Sequence, residues 1–229
     1  MFQLGESLGS PTVFLRMASG SVKLLQNCTV EVAFHDSPQQ FSPLIAHPTG
    51  MNIQQKLKNK IREVQDFPIK GVNFKDISPL FMDPFLMRET AAELANPWKG
   101  KGVTKVIGIE SRGFLFGPQI AIELGAGFVV VRKAGKLPPE TSSISYQLEY
   151  GNATIEMVKG SLQSTDRVLI HDDLLATGGT AGASAQLVRQ LGAQVAGFSF
   201  LIDLAFLNGR KVLEQYAPQV HALVQYDQE

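Results

Sequence analysis

The stretch Arg167 to Thr180, RVLIHDDLLATGGT, constrains the chain more than any other. Arg167 to His171 is a short run of β-branched and apolar residues, the pattern of a buried strand. Two adjacent carboxylates follow, Asp172 and Asp173, then Leu174 and Leu175, then the small, polar, glycine-rich Ala176-Thr177-Gly178-Gly179-Thr180. Ala181 to Gln190 has the composition of a helix. The order is strand, acidic pair, tight loop, helix.

Each part has a physical job. Glycines lack a Cβ, so backbone N–H groups can converge on an anion. The start of the following helix adds unpaired N–H groups and a favourable dipole. Thr177 and Thr180 offer hydroxyl donors. The carboxylates would repel the same anion, so they suit hydroxyls or a divalent cation. A ribose 5-phosphate carries both a phosphate and a diol. An acidic pair or a glycine pair alone is common in plain structural turns, but the whole run is far more specific. The run matches neither G-x-x-x-x-G-K-[ST] nor G-x-G-x-x-G.

The 229 residues suit one domain, or one domain with an extension. With 21 basic and 21 acidic residues the net charge is zero, which gives no electrostatic case for nucleic acid or an anionic membrane. No apolar run reaches the roughly eighteen residues of a membrane span. The single cysteine, Cys28, excludes an internal disulfide framework and points to a reducing, cytoplasmic home. Residues 1–50 lack sustained periodicity and read as a poorly ordered extension with one short strand at Thr29 to Phe34. The compact domain is expected over 51–229.

Within that domain, Asn52 caps a helix predicted over Ile53 to Val64, with Ile53, Leu57, Ile61 and Val64 on one stripe. Pro84 to Ala95 reads as a second helix. Core strands are expected at Val103 to Ile109, Phe128 to Val131 and Gln194 to Leu201, with a helix from Phe116 to Leu124. Val220 to Val224 reads as an edge strand and Asn208 to Lys211 as a polar turn. Leu137 to Ser145, rich in proline, serine and threonine, reads as a mobile lid, and Thr154 to Met157 as a returning strand. Ligands of such sheets lie beyond the C-terminal strand ends. Arg112, in Glu110-Ser111-Arg112-Gly113-Phe114-Leu115-Phe116-Gly117, and the cluster Arg132, Lys133, Lys136 emerge at that end. His171 has two open roles, a satisfied core histidine or a tuner of the acidic pair.

RVLIHDDLLATGGT resembles the 5-phosphoribosyl-1-pyrophosphate (PRPP) motif of the type I phosphoribosyltransferases, and L-L-A-T-G-G-T is similar to their adenine phosphoribosyltransferase branch. The resemblance spans nearly all of Met51 to Tyr226. It implies an α/β fold: a mostly parallel central sheet flanked by helices, with a small hood and a flexible flap. It implies transfer of a phosphoribosyl group from PRPP to adenine, giving AMP and pyrophosphate, in a homodimer using Mg²⁺. By the same resemblance Phe74 stacks on the purine and Asn73 reads its edge through the backbone. Lys75 stands where many relatives carry arginine. Ser111 and Arg112 lie in the pyrophosphate loop, and Arg132, Lys133 and Lys136 contact pyrophosphate. Asp172 and Asp173 hold the ribose hydroxyls, while Ala176, Thr177, Gly178, Gly179 and Thr180 hold the phosphate. Glu149 is the acid near purine N7, Tyr150 closes the pocket and Leu201 lines it. The metal relies on substrate oxygens and water, so no residue is assigned as its ligand.

Rivals of two classes remain. One is an enzyme of the same fold acting on hypoxanthine, guanine, xanthine or orotate. The other is a non-catalytic phosphoribosyl-ligand sensor with an attached DNA-binding domain. The hood run G-V-N-F-K-D-I and the flap run Y-Q-L-E-Y-G favour adenine over the first. The second is disfavoured because the lid acid and basic cluster are both kept and the extension shows no helix-turn-helix pattern.

Overall fold

The computed structural model describes residues 51–147 and 151–228, together with the backbone of β1 (Leu15–Arg16) and β2 (Val22–Lys23), which pair antiparallel. The chain divides into two compact units, Met1–His47 and Pro48–Glu229. The strand expected at Thr29 to Phe34 lies outside the described residues.

In the second unit, Asn52 caps α1 (Ile53–Lys60) through a reciprocal capping box. Its side chain accepts from the Gln55 N–H at 2.9 Å, and the Gln55 side chain accepts from the Asn52 N–H at 3.2 Å. The helix does not reach Val64. Arg62–Val64 is instead strand β3, antiparallel to β4 (Phe74–Asp76). Opposite charges face each other across this pair: Arg62 meets Asp76 at 2.7 Å and Lys75 meets Glu63 at 2.9 Å. Such cross-strand pairs favour the hairpin over another helical turn. Val64 fits either periodicity, which is why the helical stripe looked longer.

Helix α2 (Pro84–Ala95) matches its expected bounds, with Asp83 accepting from the Leu86 N–H at 3.1 Å and Pro84 at the first position. Strand β5 (Lys105–Ile109) leads to α3 (Gly113–Leu124), which starts earlier than the expected Phe116. Arg112 therefore sits at the helix N-cap. Strand β6 (Gly127–Lys133) runs past Val131, so Arg132 and Lys133 end the strand rather than follow it. The stretch read as a lid is partly strand. Its second half is β7 (Thr141–Gln147), which pairs along its length with β8 (Asn152–Val158), the strand that contains the expected return at Thr154 to Met157. Ile144 faces Ile155, and the Ser145 and Thr154 hydroxyls lie 2.8 Å apart, a pattern that composition alone hides.

Strand β9 (Arg167–Leu175) likewise continues through the acidic pair, because β10 (Gln194–Leu204) pairs with it as far as Asp203↔Leu175. Between these two strands runs α4 (Gly179–Gln190). The polar turn expected at Asn208 is a short helix, α5 (Gly209–Leu213), entered through Asn208 in the left-handed region. Strand β11 (Val220–Tyr226) closes the chain at a sheet edge, as expected.

The seven-stranded sheet has the order β11-β10-β9-β5-β6-β8-β7. The first five strands are parallel, and β8 and β7 are antiparallel additions. One face packs Ile107, Ile170, Phe198 and Phe200 against α4, through Ala185, Leu187 and Val188. The other packs Val106, Leu169 and Ile202 against Leu57, Leu94, Trp98 and Phe116 from α1, the α2 region and α3. The order reverses between β5 and β9, so their C-terminal ends form a topological switch point. Among the described residues no helix is long and apolar enough to cross a membrane.

Candidate active site

Arg112 leaves the end of β5 and reaches across the switch point. Its Nε lies 3.0 Å from Asp173 Oδ2, and its guanidinium stands 5.0 Å from the centre of the Phe74 ring. Its Nη1 donates to the Lys75 carbonyl at 3.5 Å. One cation thus ties the β3–β4 hairpin to the acidic pair. Burial pushes both carboxyls above the ordinary range. Asp172 is raised further by the Asp173 charge beside it, whereas the Arg112 charge restrains Asp173. Asp172 Oδ1 accepts from the Asp173 N–H at 2.9 Å. Asp173 Oδ2 touches Arg112 only as an ion pair and accepts no hydrogen bond.

The loop after β9 encloses a cavity of about 90 Å³. Asp172, Thr177, Gly178, Gly179, Thr180 and Phe200 are among its walls. Gly178 has φ 82°, a left-handed conformation that a side chain would strain. From behind, α5 presses its first residue on the loop: a Cβ on Gly209 would stand 2.1 Å from the Ala176 carbonyl oxygen. In front, the Tyr146 hydroxyl of β7 lies 2.9 Å from the Thr180 hydroxyl.

The β3–β4 hairpin carries the expected hood residues. Phe74 packs edge-on against Phe67, with centroids 5.2 Å apart. Asn73 Nδ2 donates to Glu63 at 2.7 Å, and that bond, with the Lys75 contact, lowers the Glu63 carboxyl. The Lys75 ammonium is buried, paired with Glu63 at 2.9 Å and 4.3 Å from the Tyr226 ring centre. It faces the protein rather than open solvent.

The basic cluster is gathered by Glu110, which the sequence reading did not single out. Glu110 takes Arg132 at 3.3 Å and Lys136 at 2.5 Å, and accepts from the Lys133 N–H at 3.0 Å. Burial opposes its charge, but these donors outweigh burial and bring its pKa down to about 2. Buried Glu156 shapes the next turn, accepting from the N–H groups of Lys136 and Leu137 and the Thr141 hydroxyl. Ser111 is exposed at the helix start.

Three expectations fare differently. Leu201 is fully buried in the core that α2 packs on, three residues short of the end of β10, where Leu204 is half-buried. Glu149 and Tyr150 lie outside the described residues. His171 is half satisfied: Nδ1 is 2.9 Å from the Ser199 carbonyl, Nε2 has no partner, and burial lowers its pKa to about 4. Tyr146 and Gly209 also went unassigned. Tyr146 stood inside the Y-Q-L-E-Y run, and Gly209 signalled only a turn.

A strand-end acidic pair, a glycine loop opening a helix and a facing arginine define an α/β site for a phosphorylated sugar. The phosphoribosyl transferase domain matches residues 85–220, and the chain belongs to this family. Its relatives put it in the adenine phosphoribosyltransferase branch. The adenine phosphoribosyltransferase of Nitrosococcus oceani is 54% identical over 172 residues, covering 75% of this chain and 99% of that protein. The crystal structure of the Rhodothermus marinus adenine phosphoribosyltransferase has 50% identity and a TM-score of 0.72, covering 76% of this chain and 98% of that one. The Trypanosoma brucei enzyme, solved in complex with AMP, pyrophosphate and ribose-5-phosphate, has 29% identity and a TM-score of 0.67, covering 77% of this chain and 81% of that one.

Proposed function

We infer that this chain transfers the 5-phosphoribosyl group of PRPP to adenine, releasing AMP and pyrophosphate. The observation that carries the reading is the junction of β9 and α4: an acidic pair running straight into a phosphate-sized loop, with Arg112 3.0 Å from Asp173. A phosphate seated at Ala176 to Thr180 would bring the ribose hydroxyls towards Asp172 and Asp173. Arg112, Arg132, Lys133 and Lys136 would stabilise charge on the departing pyrophosphate. Phe74 would stack on the base, with the Asn73 backbone at its edge. Glu149 would manage the purine proton and Tyr150 would help close the pocket. Holding two substrates in register is the larger part of the work, ahead of any covalent chemistry by the protein.

Mg²⁺ fits this site as a guest of the substrate. Among the described residues no group of three or more His, Cys, Asp or Glu side chains is placed to hold a metal. Asp173 Oδ2 is already paired with Arg112 at 3.0 Å, so an ion here would be held mostly by phosphate oxygens and water, with the acidic pair supplying charge nearby. The bound ion would neutralise charge on the pyrophosphate.

A homodimer in the cytoplasm completes the reading. For the homodimer, support comes from the groove between α2 and α3, about 270 Å³, where Pro84, Met87, Ala91 and the highly exposed Ile122 lie among Arg88, Gln119 and Glu123. Ile122→Asp should shift sedimentation towards the monomer. The reaction is tested with a panel of adenine, hypoxanthine, guanine, xanthine and orotate, PRPP and Mg²⁺, following pyrophosphate release. Release with adenine alone is expected; turnover of another base with adenine inert would overturn the reading.

A further inference from the structure

The cations assigned to pyrophosphate already hold an anion of the protein's own. Glu110 follows β5, and β6 brings Arg132 beside it. Arg132 donates to the Glu110 carboxylate from both Nε and Nη2 at 3.3 Å, Lys136 donates at 2.5 Å and the Lys133 N–H at 3.0 Å. The carboxylate side chain is 9% exposed, while Arg132 and Lys136 are 33% and 48% exposed. So the anion is sheltered and its cations still face solvent. Arg132 Nη1 also donates to the Lys136 carbonyl at 3.0 Å, closing the turn on itself. Among the described residues the exposed Lys133 ammonium has no acidic partner.

We propose that Glu110 is a positioning residue and internal counter-ion that holds Arg132 and Lys136 ready while weakening their grip on pyrophosphate. The proposal rests on the reading of Arg132 and Lys136 as pyrophosphate contacts. An N–H serves one acceptor well, so a phosphate oxygen gains these donors only by sharing them with Glu110 or displacing it. Two cations and one carboxylate present one net positive charge to the leaving group instead of two. The cluster still stabilises charge that develops as pyrophosphate departs, but it binds the finished product less tightly. Stabilising the transition state without trapping the product favours turnover when release is slow.

The test uses the full chain and magnesium pyrophosphate as the probe. Glu110→Gln keeps the shape and removes the charge. It should bind pyrophosphate about tenfold more tightly, the scale of removing one like charge from a partly solvated site. Glu110→Asp keeps the charge and should restore weak binding. A Glu110→Gln protein with native melting and adenine affinity, yet with wild-type or weaker pyrophosphate affinity, overturns the proposal. Glu110→Ser serves if the glutamine variant does not fold, with the same tightening expected and its absence equally fatal. Lys136→Met separates the two levels. If it leaves pyrophosphate affinity unchanged, the underlying assignment of the cluster fails. If it weakens affinity while Glu110→Gln does not tighten it, only the counter-ion role fails.

Discussion

The Tyr146 hydroxyl lies 2.9 Å from the Thr180 hydroxyl, joining the β7–β8 hairpin to the first turn of α4. When Tyr146 donates, the Thr180 proton is left free for a phosphate oxygen. Tyr146→Phe removes that orientation and keeps the ring. A hydrogen bond of about 1 kcal/mol corresponds to a roughly fivefold rise in the KM for PRPP. The KM for adenine should not move. Steady-state kinetics with each substrate varied decides the matter, and an unchanged PRPP constant would remove Tyr146 from the site.

Asp172→Asn together with Asp173→Asn should damage PRPP use far more than folding. Both carboxyls are raised by burial, so replacing them with neutral amides relieves a cost in the folded chain. The loss should appear as a drop in kcat/KM for PRPP of about a hundredfold or more, since ribose orientation depends on these groups. Thermal melting run alongside should shift little. A soluble double variant with wild-type PRPP affinity and turnover contradicts the assignment.

His171 gives a pH signature. Its folded pKa is lowered to about 4 from 6.5 by burial. Between those values the unfolded chain takes a proton that the folded chain refuses. Stability is therefore full above about pH 7 and falls on acidification, by about 2 kcal/mol at pH 5. His221, lowered by burial and by Arg210, adds in the same direction, while the raised acidic pair runs the other way. The difference between wild type and His171→Gln isolates the term. Urea unfolding at pH 7 and pH 5 should show a smaller acid loss in the variant; equal losses would refute it.

A chain starting at Met51 should keep most adenine-dependent activity. The described site residues all come from the second compact unit, Pro48–Glu229. Activity of the folded truncation reduced about a hundredfold would show that residues 1–50 take part in catalysis.

Local rules made some features legible. Asp83, Pro84 and the apolar spacing define α2 without help from elsewhere. The loop at Ala176 to Thr180 was readable because its chemistry is contiguous. What stayed hidden depends on partners distant in sequence. Glu110 gathers Arg132 and Lys136 only once β5 and β6 lie side by side. Gly209 backs Ala176 only after β10 brings the chain home. The β3–β4 hairpin was missed because Val64 suits two periodicities and the cross-strand charges decide between them.

The flap hairpin is rooted in the parallel sheet by the pairs Arg132↔Glu156 and Lys133↔Ile155. Those two basic residues are also among the cations assigned to the leaving group. A genetic screen for lids that open too readily would therefore collect proline changes at Arg132 and Lys133, which remove a backbone N–H from the root of the hairpin, and so would a screen for altered product inhibition. Separating the two traits calls for changes farther out on the hairpin. The Ser145–Thr154 hydroxyl pair offers such a place, stiffening the ribbon without carrying charge.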